Sequence, residues 1–106
     1  MSTRDGVRES TLTETRSEQQ VQQPRLWRVV LHNDDYTTQE FVVWVLETIF
    51  HKPRGEAVAI MTSVHQSGSG VAGVFTHDVA ETKVKATKDL AEENEFPLLV
   101  TMEPEH

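Results

Sequence analysis

Regular alternation of apolar and polar positions begins at Arg25. In "RLWRVVLH", Trp27, Val29 and Leu31 fall on one face of an extended segment, and Leu26, Val30 and His32 fall on the other. Apolar side chains on both faces predict a central, well-covered strand. A polar junction, "HNDDYTTQEF" (32–41), follows. Within it Thr37 and Glu40 have the spacing of a capping box, in which the hydroxyl takes a first-turn amide and the carboxylate reaches back. Phe41, Val42, Val45, Leu46 and Ile49 then recur at helical spacing and predict an amphipathic helix. Pro53 suits the first position of a second helix, "EAVAIMTSVH" forms its body, and "SGSG" (67–70) ends it. "VAGVF" (71–75) reads as a short strand, and Thr76 can cap a third helix through roughly Glu93. That helix is expected to expose Glu81, Lys85, Lys88 and Glu92 and to bury Val79, Ala80, Val84 and Leu90. Pro97 stops any continuation, and "LLVTM" (98–102) forms the last strand. The order is βααβαβ. It predicts an α+β sandwich: a three-stranded antiparallel sheet with three helices packed on one face.

Residues 1–24 lack this pattern. They contain no aromatic residue, and their large apolar residues are Met1, Val7, Leu12 and Val21. Such a segment cannot offset the entropy of ordering, so a disordered tail at 1–24 and one folded domain at 25–106 are expected. No internal repeat is visible. No window approaches the ~18 consecutive apolar residues of a membrane span, and the start lacks the basic patch and apolar run of a secretory signal. With no cysteine there is no disulfide, thiolate nucleophile or cysteine zinc site. A cytoplasmic protein is the simplest expectation. Net charge is −7, from 10 Lys plus Arg against 17 Asp plus Glu. That balance repels nucleic acid and anionic membranes and favours a cationic ligand or a partner with a basic patch.

The polar junction holds more hydrogen-bonding capacity than a turn requires, since one Asn or Asp suffices. His32, Asp34, Asp35 and His65 are zinc-like in number, but no HxxxH pair or short ligand motif occurs, and solvated polar residues fit the spacing better. Ser63 and Ser67 are not on a nucleophile elbow. "SGSG" leads into a strand, whereas a phosphate cradle leads into a helix with a Lys. No cofactor is expected. In "IMTSVH" (60–65), Met61, Val64 and His65 share one helical face. Two readings stand. The pattern alone favours Met61 and Val64 as core, with His65 at an exposed helix end. The alternative is a pocket with a Met and Val floor and a rim of His65 and the "NDD" residues, binding one cation above one hydrophobic side chain.

"VVLHNDDYTTQEF", "MTSVH", "GVFTHDVAETKV" and "ENEFPLLVTME" together resemble the ClpS family, adaptors for bacterial AAA+ ClpA or ClpC protease complexes. The resemblance spans about residues 25–104. It implies a fold similar to the C-terminal domain of a ribosomal stalk protein, and a non-enzymatic N-end-rule adaptor for chains that begin with Leu, Phe, Tyr or Trp. It further implies that Asn33, Asp34 and His65 bind the free α-amino group, with Asp35 beside them in an acidic mouth. Thr37, Gln39, Val42, Met61, Val64 and Leu98 would line the side-chain pocket. Gln39 stands in "TQEF" where the family commonly has a Met in "PMEF", at the rim that rejects β-branched residues. Tyr36, Asp78 and Lys83 would dock the N-terminal domain of ClpA or ClpC. The tail would serve delivery, and the protein is expected to act as a monomer that captures N-degron peptides or proteins. Two other readings remain: a stalk-like interaction domain without an amino-acid pocket, and more distantly an acid–base enzyme using Asp34 and His65.

Overall fold

The computed structural model describes residues 24–106, so the segment read as a tail lies outside the described residues except for Pro24. Strand β1 (Leu26–His32) is central, paired antiparallel with β2 (Ser69–Thr76) on one side and β3 (Leu99–Pro104) on the other. The face of β1 that carries Leu26 is only partly covered, with Leu26 43% exposed. Val29 and Leu31 are fully buried in the core, and Val30 is buried between its partners Val71 and Thr101. Each such side chain stabilises the fold by roughly 1.5–3 kcal/mol relative to exposure. A register irregularity at Val29/Val30 falls where β2 runs from Gly73 to Val71.

Helix α1 (Gln39–Thr48) buries Phe41, Val42, Val43, Val45 and Leu46. The expected capping box is displaced by one residue. Thr38, in extended conformation, accepts the Phe41 amide at 3.1 Å. Thr37 lies one residue ahead of the cap, its hydroxyl donating to Asp34 at 2.7 Å. With Thr38 as cap, Phe41 occupies the place where a box needs Glu, so Glu40 has no reciprocal part to play.

Helix α2 (Arg54–Ser67) starts one residue after the position expected, with Pro53 at the cap. It ends at Gly68, whose φ of 95° is a left-handed conformation that glycine adopts without penalty and whose amide donates to Val64 at 3.0 Å. Helix α3 (His77–Glu93) begins where Thr76 predicts, although the Thr76 hydroxyl makes no capping bond. Its inward stripe is Ala80, Thr87 and Ala91, with Val84 and Leu90 packed at the border of the core. Val79, expected inside, is 43% exposed. Small residues on the stripe let α3 approach the sheet closely, and that approach fixes a rotation that turns Val79 outward. Leu98 is buried just ahead of β3, and Leu99 is exposed, as alternation demands.

Candidate functional site

The junction after β1 is tied to the end of α2 by one backbone bond, from the Asn33 amide to the Gly68 carbonyl at 2.9 Å. The bond brings residues distant in sequence to one place. It seats the polar run 33–38 above the last turns of α2, where Met61, Val64 and His65 lie.

Asp34 organises the run. Its Oδ1 accepts the backbone amides of Tyr36 at 2.8 Å and Thr37 at 2.7 Å, and its Oδ2 accepts the Thr37 hydroxyl at 2.7 Å. Burial alone would raise the carboxyl's pKa. The bonds from the Thr37 amide, the Thr37 hydroxyl and the Tyr36 amide together outweigh that effect and hold it below the ordinary aspartate value. A carboxylate offers about four acceptor sites, so these three bonds leave one lone pair of Oδ2 open. Asp35 is exposed beside it, and Asn33 is also exposed.

These groups form the mouth of a cavity of about 390 Å³. Its walls are Asn33, Asp34, Asp35, Tyr36, Thr37, Thr38, Gln39, Val42, Met61, Val64 and His65. Val42 and Val64 are buried and Met61 is half-buried, so apolar surface lies beneath a polar rim. The pocket alternative thus has a physical counterpart, while the core alternative holds for Val64, which is buried, and for His65, which is exposed in the last turn of α2. Every residue expected at the mouth lines this one cavity. So does each residue expected in the side-chain pocket except Leu98, which sits in the core and does not line it. Thr38 lines the cavity without having been singled out. As one of two adjacent threonines, it carried no signal separating cap from wall.

The three residues expected at the unfoldase interface differ in exposure. Tyr36 is 77% exposed at the cavity, and the Asp78 side chain is fully exposed at the start of α3. Lys83 turns inward. Its ammonium donates to the Ile49 carbonyl at 2.6 Å and lies 6.0 Å from the Phe50 ring centre and 5.8 Å from that of Phe75. The four residues weighed as metal ligands are not drawn together, since His32 Nε2 pairs with the Thr101 hydroxyl at 2.8 Å. Among the described residues, the group of His, Asp and Glu ligand atoms that does converge is His77, Asp78 and Glu81, all exposed.

A second groove of about 380 Å³ runs between α1 and α2. It is lined by Gln39, Glu40, Val43, Trp44, Glu47, Arg54, Val58 and Met61, and it shares Gln39 and Met61 with the first cavity. Arg54 Nη1 lies 3.4 Å from Glu47 Oε2. None of the described helices is long and apolar enough to cross a membrane.

A sheet-and-helix domain carrying an acid-mouthed, apolar-floored pocket, and no convergent metal or nucleophile set beside it among the described residues, is a binding module in construction. The family model described as "ATP-dependent Clp protease adaptor protein ClpS" matches residues 22–101, and the chain belongs to that family of protease adaptors. It is 53% identical over 96 residues to the ATP-dependent Clp protease adapter protein ClpS of Myxococcus xanthus, covering 91% of this chain and 90% of that one. It is 51% identical over 98 residues to the protein of the same name from Phenylobacterium zucineum, covering 92% and 88%. The solved structure of Agrobacterium tumefaciens ClpS2 bound to L-phenylalaninamide superposes with a TM-score of 0.75 at 44% identity, covering 78% of this chain and all of that one.

Proposed function

We infer that the protein captures chains by their first residue and delivers them to a Clp protease. The observation that carries this reading is the single cavity in which polar groups with open acceptor sites stand over an apolar floor. An α-ammonium carries three donors. The open Oδ2 lone pair of Asp34, the side-chain oxygen of Asn33 and a ring nitrogen of neutral His65 supply three acceptors. Asp35 adds negative charge to the mouth. The first side chain then enters between Val42, Met61 and Val64, where burying Leu or Phe contributes roughly 1.5–3 kcal/mol. Thr37 fixes the Asp34 carboxylate, and Gln39 closes the rim. L-phenylalaninamide, the ligand of the related A. tumefaciens protein, has both of these parts: a free α-amine and an aromatic side chain.

No covalent step follows from such a site, so the protein acts by binding alone. Its macromolecular partner is the N-terminal domain of a ClpA- or ClpC-type unfoldase in the cytoplasm, met by a monomeric adaptor. Asp78 and Tyr36 are the exposed candidates for that contact. Residues 1–24 are assigned to delivery on family resemblance, although their composition by itself favours an inert leader, with the binding domain at 25–106.

The test is a calorimetric titration with peptides that differ only in the first residue. Phe, Leu, Tyr and Trp should bind; Ser, Asp and Gly should not. Ile and Val report on the rim: Gln39→Met should widen the Leu-to-Ile affinity ratio. Equal affinity for every first residue would defeat the reading.

A further inference from the structure

We propose that the groove between α1 and α2 is a second subsite, taking a basic side chain from the two residues that follow the captured first residue. This rests on the first-residue reading above. The groove adjoins the first cavity, because Gln39 and Met61 line both. A bound chain that leaves the cavity over these two residues meets the groove next. An extended chain advances about 3.3–3.6 Å per residue, so its second and third residues arrive over the groove. There Trp44 and Val58, 44% and 37% exposed, present apolar surface to water from adjacent helices. Glu40 and Glu47 border it. Glu47 faces Arg54, whereas Glu40 has no ion pair among the described residues.

An aromatic face edged by carboxylates selects for Lys or Arg. The methylene stem covers Trp44 and Val58, and the charged end sits over the indole ring within reach of Glu40. A purely apolar side chain would leave Glu40 without a counter-charge. An acidic one would meet like charge in a protein whose net charge is already −7. The site therefore reads a short segment: a large apolar residue with a free amine, then a cation.

The probes are L-phenylalaninamide, which reaches only the first cavity, and three peptides beginning Phe-Lys-Lys, Phe-Ala-Ala and Phe-Glu-Glu with one neutral remainder. Binding is read by calorimetry on the full chain and on the Trp44→Ala and Glu40→Gln variants. The Lys peptide should bind about 2- to 5-fold more tightly than the Ala peptide, and the Glu peptide more weakly than either. Both variants should move the Lys-to-Ala ratio towards one and leave phenylalaninamide affinity unchanged. Glu40→Gln is an exposed, nearly isosteric change, so it reports even if Trp44→Ala destabilises the fold. A ratio near one in the unaltered protein overturns the subsite. So does a Lys preference that survives both variants, because it would then come from the overall negative charge. If phenylalaninamide itself fails to bind, the first-residue reading falls and the subsite with it.

Discussion

The two ends of α1 are built by the same electrostatic rule to different ends. Acidic groups gather at its N-terminus and a cation at its C-terminus, each opposite in sign to the helix dipole it faces. At the C-terminal end the charge is held within the fold: the Lys83 ammonium donates to the Ile49 carbonyl and lies close to the rings of Phe50 and Phe75. At the N-terminal end it is not. Asp34 keeps one acceptor site open, Asp35 and Asn33 remain exposed, and all three line a cavity. Polar capacity saturated within the fold serves the fold; capacity left over at a cavity is available to a ligand.

The contrast is broken most severely at Asp34. Asp34→Ala removes the charge and the acceptor for two amides, and peptide affinity should fall by about 2–5 kcal/mol. Asp34→Asn separates the two parts. Its Oδ1 can still accept the Tyr36 and Thr37 amides, so thermal stability should change little while affinity falls. Binding retained in Asp34→Asn would make the junction structural, like the other end of the helix.

Lys83→Met makes the reverse cut. It keeps the stem but leaves the Ile49 carbonyl without its charged donor, which should cost about 1.5–3 kcal/mol of stability, measured by urea unfolding. Peptide affinity of the folded variant should stay the same. Loss of unfoldase binding at a temperature where Lys83→Met is fully folded would show that the ammonium also serves docking.

Gly70 bears on the floor of the cavity. A Cβ there would lie 2.9 Å from Val64 Cγ2 and 3.4 Å from the Ile60 carbonyl oxygen. Gly70→Ala must therefore displace Val64, with an overpacking cost of roughly 1–3 kcal/mol. Since Val64 lines the cavity, affinity for a Phe-starting peptide should fall together with stability. Unchanged affinity would detach the floor from recognition.

The smallest effect is in pH. The Asp34 carboxyl is held below its ordinary value in the folded protein, so the unfolded chain binds more protons in acid. The stability this gives is complete above the unfolded value of about 3.9 and is lost as pH falls through the folded value. Asp34→Asn should flatten the acid limb of the stability profile below about pH 4, because near neutrality it lacks the small stabilisation that the ionised carboxylate gives. On the alkaline side, affinity should decline as the ligand's α-ammonium loses its proton near pH ~7.7–8.0.

Much of this architecture is legible in the sequence because it depends on local rules. The two apolar faces of β1, the stripe of α1 and the left-handed stop at Gly68 follow from periodicity and glycine chemistry. What escapes local rules depends on partners elsewhere. Thr37 and Thr38 are equivalent as caps by pattern, and the backbone starts the helix after the second while the first donates to Asp34. Val79 appears apolar and inward until the small residues of α3 set the helix's rotation. Leu98 was assigned to the pocket by resemblance, and the sheet keeps it in the core. Asn33, Asp34 and His65 are three separate signals in the sequence. The pairing of β1 with β2, extended by the bond from the Asn33 amide to the Gly68 carbonyl, brings the adjacent Asn33 and Asp34 to His65 at one mouth.

The central claim is that the open acceptors at the N-terminal end of α1 await a charged amine. Calorimetry with one Phe-starting peptide, free and N-acetylated, tests it directly. Acetylation keeps the aromatic side chain and removes the positive charge and two of the three ammonium donors. The free peptide should bind and the acetylated one should lose at least about 2–5 kcal/mol of affinity, the effect of unpairing a desolvated charge. Equal affinity for the two peptides would contradict the account.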